Sequence, residues 1–158
     1  VTYNSASPPD FRRPGFCPPR HLHAHLTMLP TLTRILYVED QPDIRLVAKM
    51  ALEAVGGFTV MACESGAEAL RSAPDARADL LLLDVMMPGM DGPALLALLR
   101  EMPATAKTPV IFMTAKVQAS EVALYKGLGA LEVIAKPFDP MALSDQLRRI
   151  WALQALPA

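Results

Sequence analysis

The sequence predicts an α/β fold: one parallel sheet with helices on both faces. Three observations carry this reading. Short apolar runs recur at Ile35–Val38, Leu80–Leu83, Val110–Met113 and Leu131–Ala135, and runs of that length bounded by polar or turn residues read as strands buried on both faces. Segments with a helical apolar period separate them. Strand and helix then alternate strictly through five units, which calls for parallel strands joined by right-handed crossovers.

The first strand, Ile35–Val38, runs into Glu39-Asp40. Pro42, a residue suited to the first helical turn, opens a helix to about Ala54 with Ile44, Val47, Ala48, Ala51, Leu52 and Val55 on one face. Gly56-Gly57 closes it. Phe58 to Ala62 reads as the second strand. Ser65 with Glu68 three residues later forms a capping box, so a short helix follows from Gly66 to about Ser72. The third strand ends at Asp84, and Met86 to Gly92 is a loop. A leucine-rich helix, Ala94 to Arg100, leads to the fourth strand, which ends at Thr114. A helix over about Ala119 to Leu128, with Gly129 after it, leads to a fifth strand ending at Ala135. The last helix spans about Pro140 to Leu153.

The length of 158 residues suits one domain, and 52% hydrophobic residues are ample for its core. A formal net charge of −1 gives no broad footprint for nucleic acid. No apolar run approaches the roughly 18 residues needed to span a bilayer. Cys17 and Cys63 have no metal-type spacing and read as free thiols in a reducing, cytoplasmic compartment. Residues 1–29 differ in kind: they hold five of the fifteen prolines and all three histidines, and no periodic apolar pattern. They read as a disordered leader before a domain at 30–158, with Met28 a candidate start. His21, His23 and His25 lie in that proline-rich stretch without the fixed geometry a metal site needs. The segment also lacks the apolar core of a signal peptide.

In an open parallel sheet, ligands gather beyond the carboxyl ends of the strands. Glu39, Asp40, Asp84, Thr114 and Lys136 all stand at such ends. Three carboxylates, a hydroxyl and an ammonium would converge on one crevice, the equipment for moving a phosphoryl group with a hard divalent cation.

The motifs ILYVEDQPD, LLLLDVMMPGMDG, PVIFMTA and GALEVIAKPFDP fall in order, each at a strand end. From Arg34 to Trp151 the chain resembles the response-regulator receiver domain of two-component signalling. The resemblance implies a flavodoxin-like fold, (βα)5 and doubly wound, with strand order 2-1-3-4-5. It makes Asp84 the phosphoacceptor, its carboxylate attacking phosphorus to form an acyl phosphate. It makes Asp40 and Asp84 direct ligands of Mg²⁺, with Glu39 acting through water and the Met86 backbone carbonyl completing the protein's share. Thr114 would bond a phosphoryl oxygen. Lys136 would pair with Asp84 before reaction and with the phosphoryl group afterwards, aimed by a cis bond to Pro137. Met86 and Lys116 occupy positions that influence how long the phosphoryl group survives.

The implied partners are a sensor histidine kinase or a histidine phosphotransfer protein as donor, and a downstream protein met through the fourth helix, fifth strand and fifth helix. Direct nucleic acid binding and a membrane association are not expected. No output segment follows the fifth unit, which suggests a stand-alone switch or relay, not an enzyme beyond its own phosphorylation and slow dephosphorylation. A receiver fragment of a hybrid kinase and a phosphorylation-independent binding module stay open as alternatives. A haloacid-dehalogenase-like phosphatase would resemble DxDx[TV], whereas this chain reads Asp84-Val85-Met86-Met87-Pro88 and lacks the second acid.

One departure stands out. Many receivers carry Tyr or Phe three residues before the lysine, where its rotamer reports phosphorylation, and this chain has Val133. Tyr125 is a candidate substitute, against the plainer reading of a partly buried helix residue. Lys126, Arg148 and Arg149 read as scattered helix-surface cations with at most a share in a partner surface.

Overall fold

The computed structural model of the chain describes residues 30–154; the expected leader at 1–29, with its histidines and Cys17, lies outside them. Five strands alternate with five helices: β1 (Arg34–Val38), α1 (Pro42–Met50), β2 (Thr59–Cys63), α2 (Gly66–Ala76), β3 (Leu80–Asp84), α3 (Gly92–Glu101), β4 (Val110–Thr114), α4 (Ala119–Gly127), β5 (Ala130–Ala135) and α5 (Pro140–Leu153). All neighbouring strands are parallel, in the order β2-β1-β3-β4-β5. The doubly wound topology expected from the sequence is the one observed.

Strand alternation divides the core into two layers. Leu36, Val38, Leu81, Leu83 and Phe112 face one side with Ala69, Leu95 and Leu99 of the helices there. Ile35, Tyr37, Leu82 and Ile111 face the other with Ala48, Leu52, Leu143 and Leu147. β3 and β4 are buried along their whole length, so no alternating polar pattern marks them. No helix among the described residues is long and apolar enough to cross a membrane.

Two helices depart from the sequence reading. The first widens beyond Met50 into a π-helical turn, Ala51–Val55. A wider turn shifts the phase of the residues that follow. Ala48, Ala51 and Leu52 are buried as expected, but Val47 and Val55 are exposed. The end of this turn is held by α5: Ser144 Oγ donates to Ala51 O at 3.3 Å, and Arg148 donates to Gly56 O while its guanidinium lies 4.9 Å over the Phe58 ring. Arg148 is thus structural, not a free surface cation, and Lys126 pairs with Glu132 at 3.0 Å.

The second departure is α2, which continues past Ser72 to Ala76 with Pro74 inside it. A proline disfavours helical backbone before it. Ala69 and Ala73 are fully buried beneath this helix, and that packing outweighs the local preference.

Candidate functional site

The carboxyl ends of β1, β3 and β5 bring Glu39, Asp40, Asp84 and Lys136 together. Ligand oxygens of Glu39, Asp40 and Asp84 lie within 4.8 Å of one another. Lys136 Nζ is 2.9 Å from Asp84 Oδ1 and 2.9 Å from Glu39 Oε2. The Met86 amide also donates to Asp84 Oδ1, at 3.3 Å. The Lys136–Pro137 peptide is cis.

The sequence reading gave Lys136 one partner, and the structure gives it two. Glu39 is fully buried, not on a solvated turn, and its carboxylate accepts from the Gln41 amide and from the Lys136 ammonium. Burial pushes the Glu39 carboxyl above the usual carboxylate range, against the pull of Lys136. The same holds for Asp84. Burial alone would lower the Lys136 ammonium, but its bonds to Glu39 and Asp84 outweigh that and hold it above its ordinary value.

Three carboxylates therefore face one ammonium. Asp84 Oδ2 and Asp40 Oδ1 are buried without a hydrogen-bond partner among the described residues. Buried, unsatisfied carboxylate oxygens are costly. Oxygen donors at this spacing suit a small hard cation such as Mg²⁺, which keeps several waters beside one or two carboxylates. The donor set fits that ion.

Thr114 ends β4, fully buried, and its Oγ1 accepts from the Lys116 amide at 3.1 Å. Ala115 beside it is exposed. Met86 presents its side chain to solvent, 59% exposed, which leaves only its backbone for the crevice. A cleft of about 540 Å³ runs from Met86, Met87 and Thr114 to Lys116, Glu121 and Tyr125.

Local backbone geometry sets this arrangement. Gly89 has φ +78, the left-handed region that favours glycine, in the β3–α3 loop. Gly92 is packed so tightly that a Cβ there would lie 2.5 Å from Asp84 O.

The sequence reading passed over Arg45. Its Nη1 donates to Glu39 O at 2.7 Å and to Asp40 O at 3.2 Å, pinning the turn that carries both acids. The position one turn into α1 is the only signal, and no motif marks it. Tyr37 was also missed: its phenol is buried without a hydrogen-bond partner among the described residues, and its pKa is raised by burial and by the Glu39 and Asp84 charges.

Residues 35–148 match the family described as response regulator receiver domain. Among curated relatives, the chain is 37% identical over 118 residues to the transcriptional regulatory protein CseB of Streptomyces coelicolor, covering 75% of this chain and 49% of that protein. It is 35% identical over 115 residues to the DNA-binding response regulator MtrA of Mycolicibacterium smegmatis, covering 73% and 49%. The chain spans about half the length of these relatives. Among solved structures it resembles the Vibrio cholerae chemotaxis protein CheY4, at 30% identity and TM-score 0.70, over 76% of this chain and 99% of that one. A response regulator from Desulfuromonas acetoxidans is similar at 31% identity and TM-score 0.68, over 77% and 98%.

Proposed function

The chain belongs to the response regulator receiver domain family, and on that premise we propose that it takes a phosphoryl group onto Asp84 in a Mg²⁺-dependent reaction. The observation that carries this reading is the state of the Asp84 carboxylate. One of its oxygens is held by Lys136 and the Met86 amide, and the other is buried with no hydrogen-bond partner among the described residues.

The donor is a phosphohistidine on a sensor kinase or phosphotransfer protein. An Asp84 oxygen forms the bond to phosphorus while the P–N bond to the imidazole breaks, and its electron pair returns to the ring nitrogen. Lys136 moves from pairing Asp84 to pairing a phosphoryl oxygen, and Thr114 donates its hydroxyl to another. Asp40, Asp84 and the Met86 carbonyl would hold Mg²⁺, with Glu39 reached through water, and the ion would neutralise charge on the phosphoryl oxygens. Water later attacks phosphorus, releasing inorganic phosphate and restoring the carboxylate. The protein acts as a switch or relay in the cytoplasm, passing its state on by protein contact or onward phosphotransfer.

An apolar cleft of about 250 Å³ supports a protein donor. Ile44, Val47, Pro137 and Phe138 line it beside Lys136, and Leu46 and Met50 lie exposed on the same helix, α1. Exposed apolar residues grouped at a site mark a place where another protein binds.

Intact-mass analysis after incubation with acetyl phosphate tests the reading. A Mg²⁺-dependent gain of one phosphoryl mass, absent from Asp84→Asn, is expected. No adduct, together with no beryllofluoride binding, would overturn it in favour of a binding module that kept these residues without the reaction.

A second reading is favoured by the relatives' length: the receiver is the input module of a longer transcriptional regulator. Sequencing the full transcript decides it, since a DNA-binding segment in the same reading frame is required.

A further inference from the structure

Val133 pairs with Phe112 across β4 and β5, and a valine there has no ring to swing. An aromatic ring reaches the same place from another element. Tyr125 of α4 is 7% exposed and packs on Phe112, with ring centroids 5.3 Å apart and planes tilted by 49°. Val133 packs on the same apolar cluster. Phe112 lies two residues before Thr114, so both project to the same face of the sheet. The Tyr125 ring therefore packs, tilted, on the same-face neighbour of Thr114.

The cleft between them joins the two. Thr114 and Met87 line it together with Tyr125 and Glu121, the latter one helical turn earlier. Tyr125 is the aromatic residue of that lining. Thr114 Oγ1 accepts from the Lys116 amide, so the start of the loop into α4 is tied to the hydroxyl. Any displacement of Thr114 toward Asp84 draws this loop and alters the cleft wall that faces Tyr125. Glu121 Oε2, of the same lining, is buried without a hydrogen-bond partner among the described residues.

We infer that Tyr125 is the positioning residue through which Thr114 moves α4 in this chain, taking from α4 the role that Val133 cannot fill from β5. The inference rests on phosphorylation at Asp84 and names the element that reads it.

The test is fluorine NMR on the full chain labelled with 3-fluorotyrosine, with Mg²⁺ and beryllofluoride as the phosphoryl mimic. The chain has three tyrosines, and Tyr125→Phe identifies the Tyr125 resonance by its loss. Bound fluoride gives its own signals in the same spectrum and so reports occupancy. The Tyr125 resonance is expected to shift, or to split into two, in proportion to occupancy. The shift is expected to vanish in Thr114→Ala at equal occupancy and to return in Thr114→Ser, which restores the hydroxyl. A resonance unmoved at full occupancy would overturn the inference and leave the phosphorylation reading intact. A shift of equal size in Thr114→Ala would overturn it too, since the ring would then be answering to something other than Thr114. Absence of bound fluoride signals, with no acetyl phosphate adduct by mass, would overturn both.

Discussion

Lys136 Nζ stands 2.9 Å from Asp84 Oδ1 in a pair whose side chains are only 10% and 1% exposed. The same ammonium reaches Glu39 at the same distance. It therefore compensates two buried carboxylates at once. Removing one partner of a buried pair leaves uncompensated charge and costs about 3–5 kcal/mol. Lys136→Met is expected to lose stability on that scale in urea unfolding without metal. Lys136→Met combined with Asp84→Asn recovers part of the loss, because one of the two stranded charges is gone. A loss in the double variant equal to the sum of the Lys136→Met and Asp84→Asn losses would show that the pair carries no coupling.

The same burial sets a pH dependence. Glu39 and Asp84 are both held above the ordinary carboxylate range, chiefly by burial. Between the ordinary value and the raised one, the folded protein binds more protons than the unfolded chain. Stability of the metal-free protein therefore falls as pH rises through that window, from about pH 4 upward. Asp84→Asn is expected to flatten part of the slope. Urea midpoints measured across pH in the presence of a chelator check this, and stability rising with pH through the window would contradict it.

Gly92 sits where backbone and ring meet behind the phosphoacceptor. A Cβ there would lie 2.5 Å from Asp84 O, 3.1 Å from Val85 Cα and 3.1 Å from Phe112 Cε1. The backbone contacts cannot yield as a flexible side chain would. Gly92→Ala is expected to destabilise by about 1–3 kcal/mol, the range for overpacking, and to slow acetyl phosphate labelling because Asp84 shifts. Gly57→Ala is the comparison: its φ of +66 strains any side chain, but no atom crowds the site. It is expected to cost stability while leaving the labelling rate unchanged.

The fold was legible because each level of the sequence agreed. Continuous apolar strands, caps at Ser65 and turns at Gly57 and Gly129 all specify the same alternating architecture. The cluster was legible in its residue types, since strand ends fix position well enough to bring Glu39, Asp40, Asp84 and Lys136 together, with Thr114 at the end of the strand between β3 and β5. The partners were not. Lys136 reaching Glu39 depends on the angle at which β5 delivers its last residue, which no local pattern encodes. Val55 was placed inward by a helical period that the π-helical turn breaks, while Val47, ahead of that turn, is exposed and lines the cleft beside Lys136. The second helix was ended at about Ser72, and only the burial of Ala69 and Ala73 shows why it continues through Pro74 to Ala76.

Arg45 illustrates a residue whose role is set entirely by tertiary geometry. Its Nη1 donates to the carbonyls of Glu39 and Asp40, while Nη2 lies 3.7 Å from Glu64 Oε2. The two carbonyl bonds fix the turn bearing the acids proposed to hold Mg²⁺. Groups that orient metal ligands change affinity by about 10–100-fold when removed. Arg45→Ala is expected to weaken Mg²⁺ binding by about 10-fold in isothermal titration, with a stability loss of about 1–2 kcal/mol for the two bonds. Glu64 separates this from a simple change of charge. Its side chain is 72% exposed, and exposed pairs contribute little, so Glu64→Gln is expected to leave Mg²⁺ affinity unchanged. Equal weakening in both variants would mean that Arg45 acts through its charge on the surface, not by holding the turn.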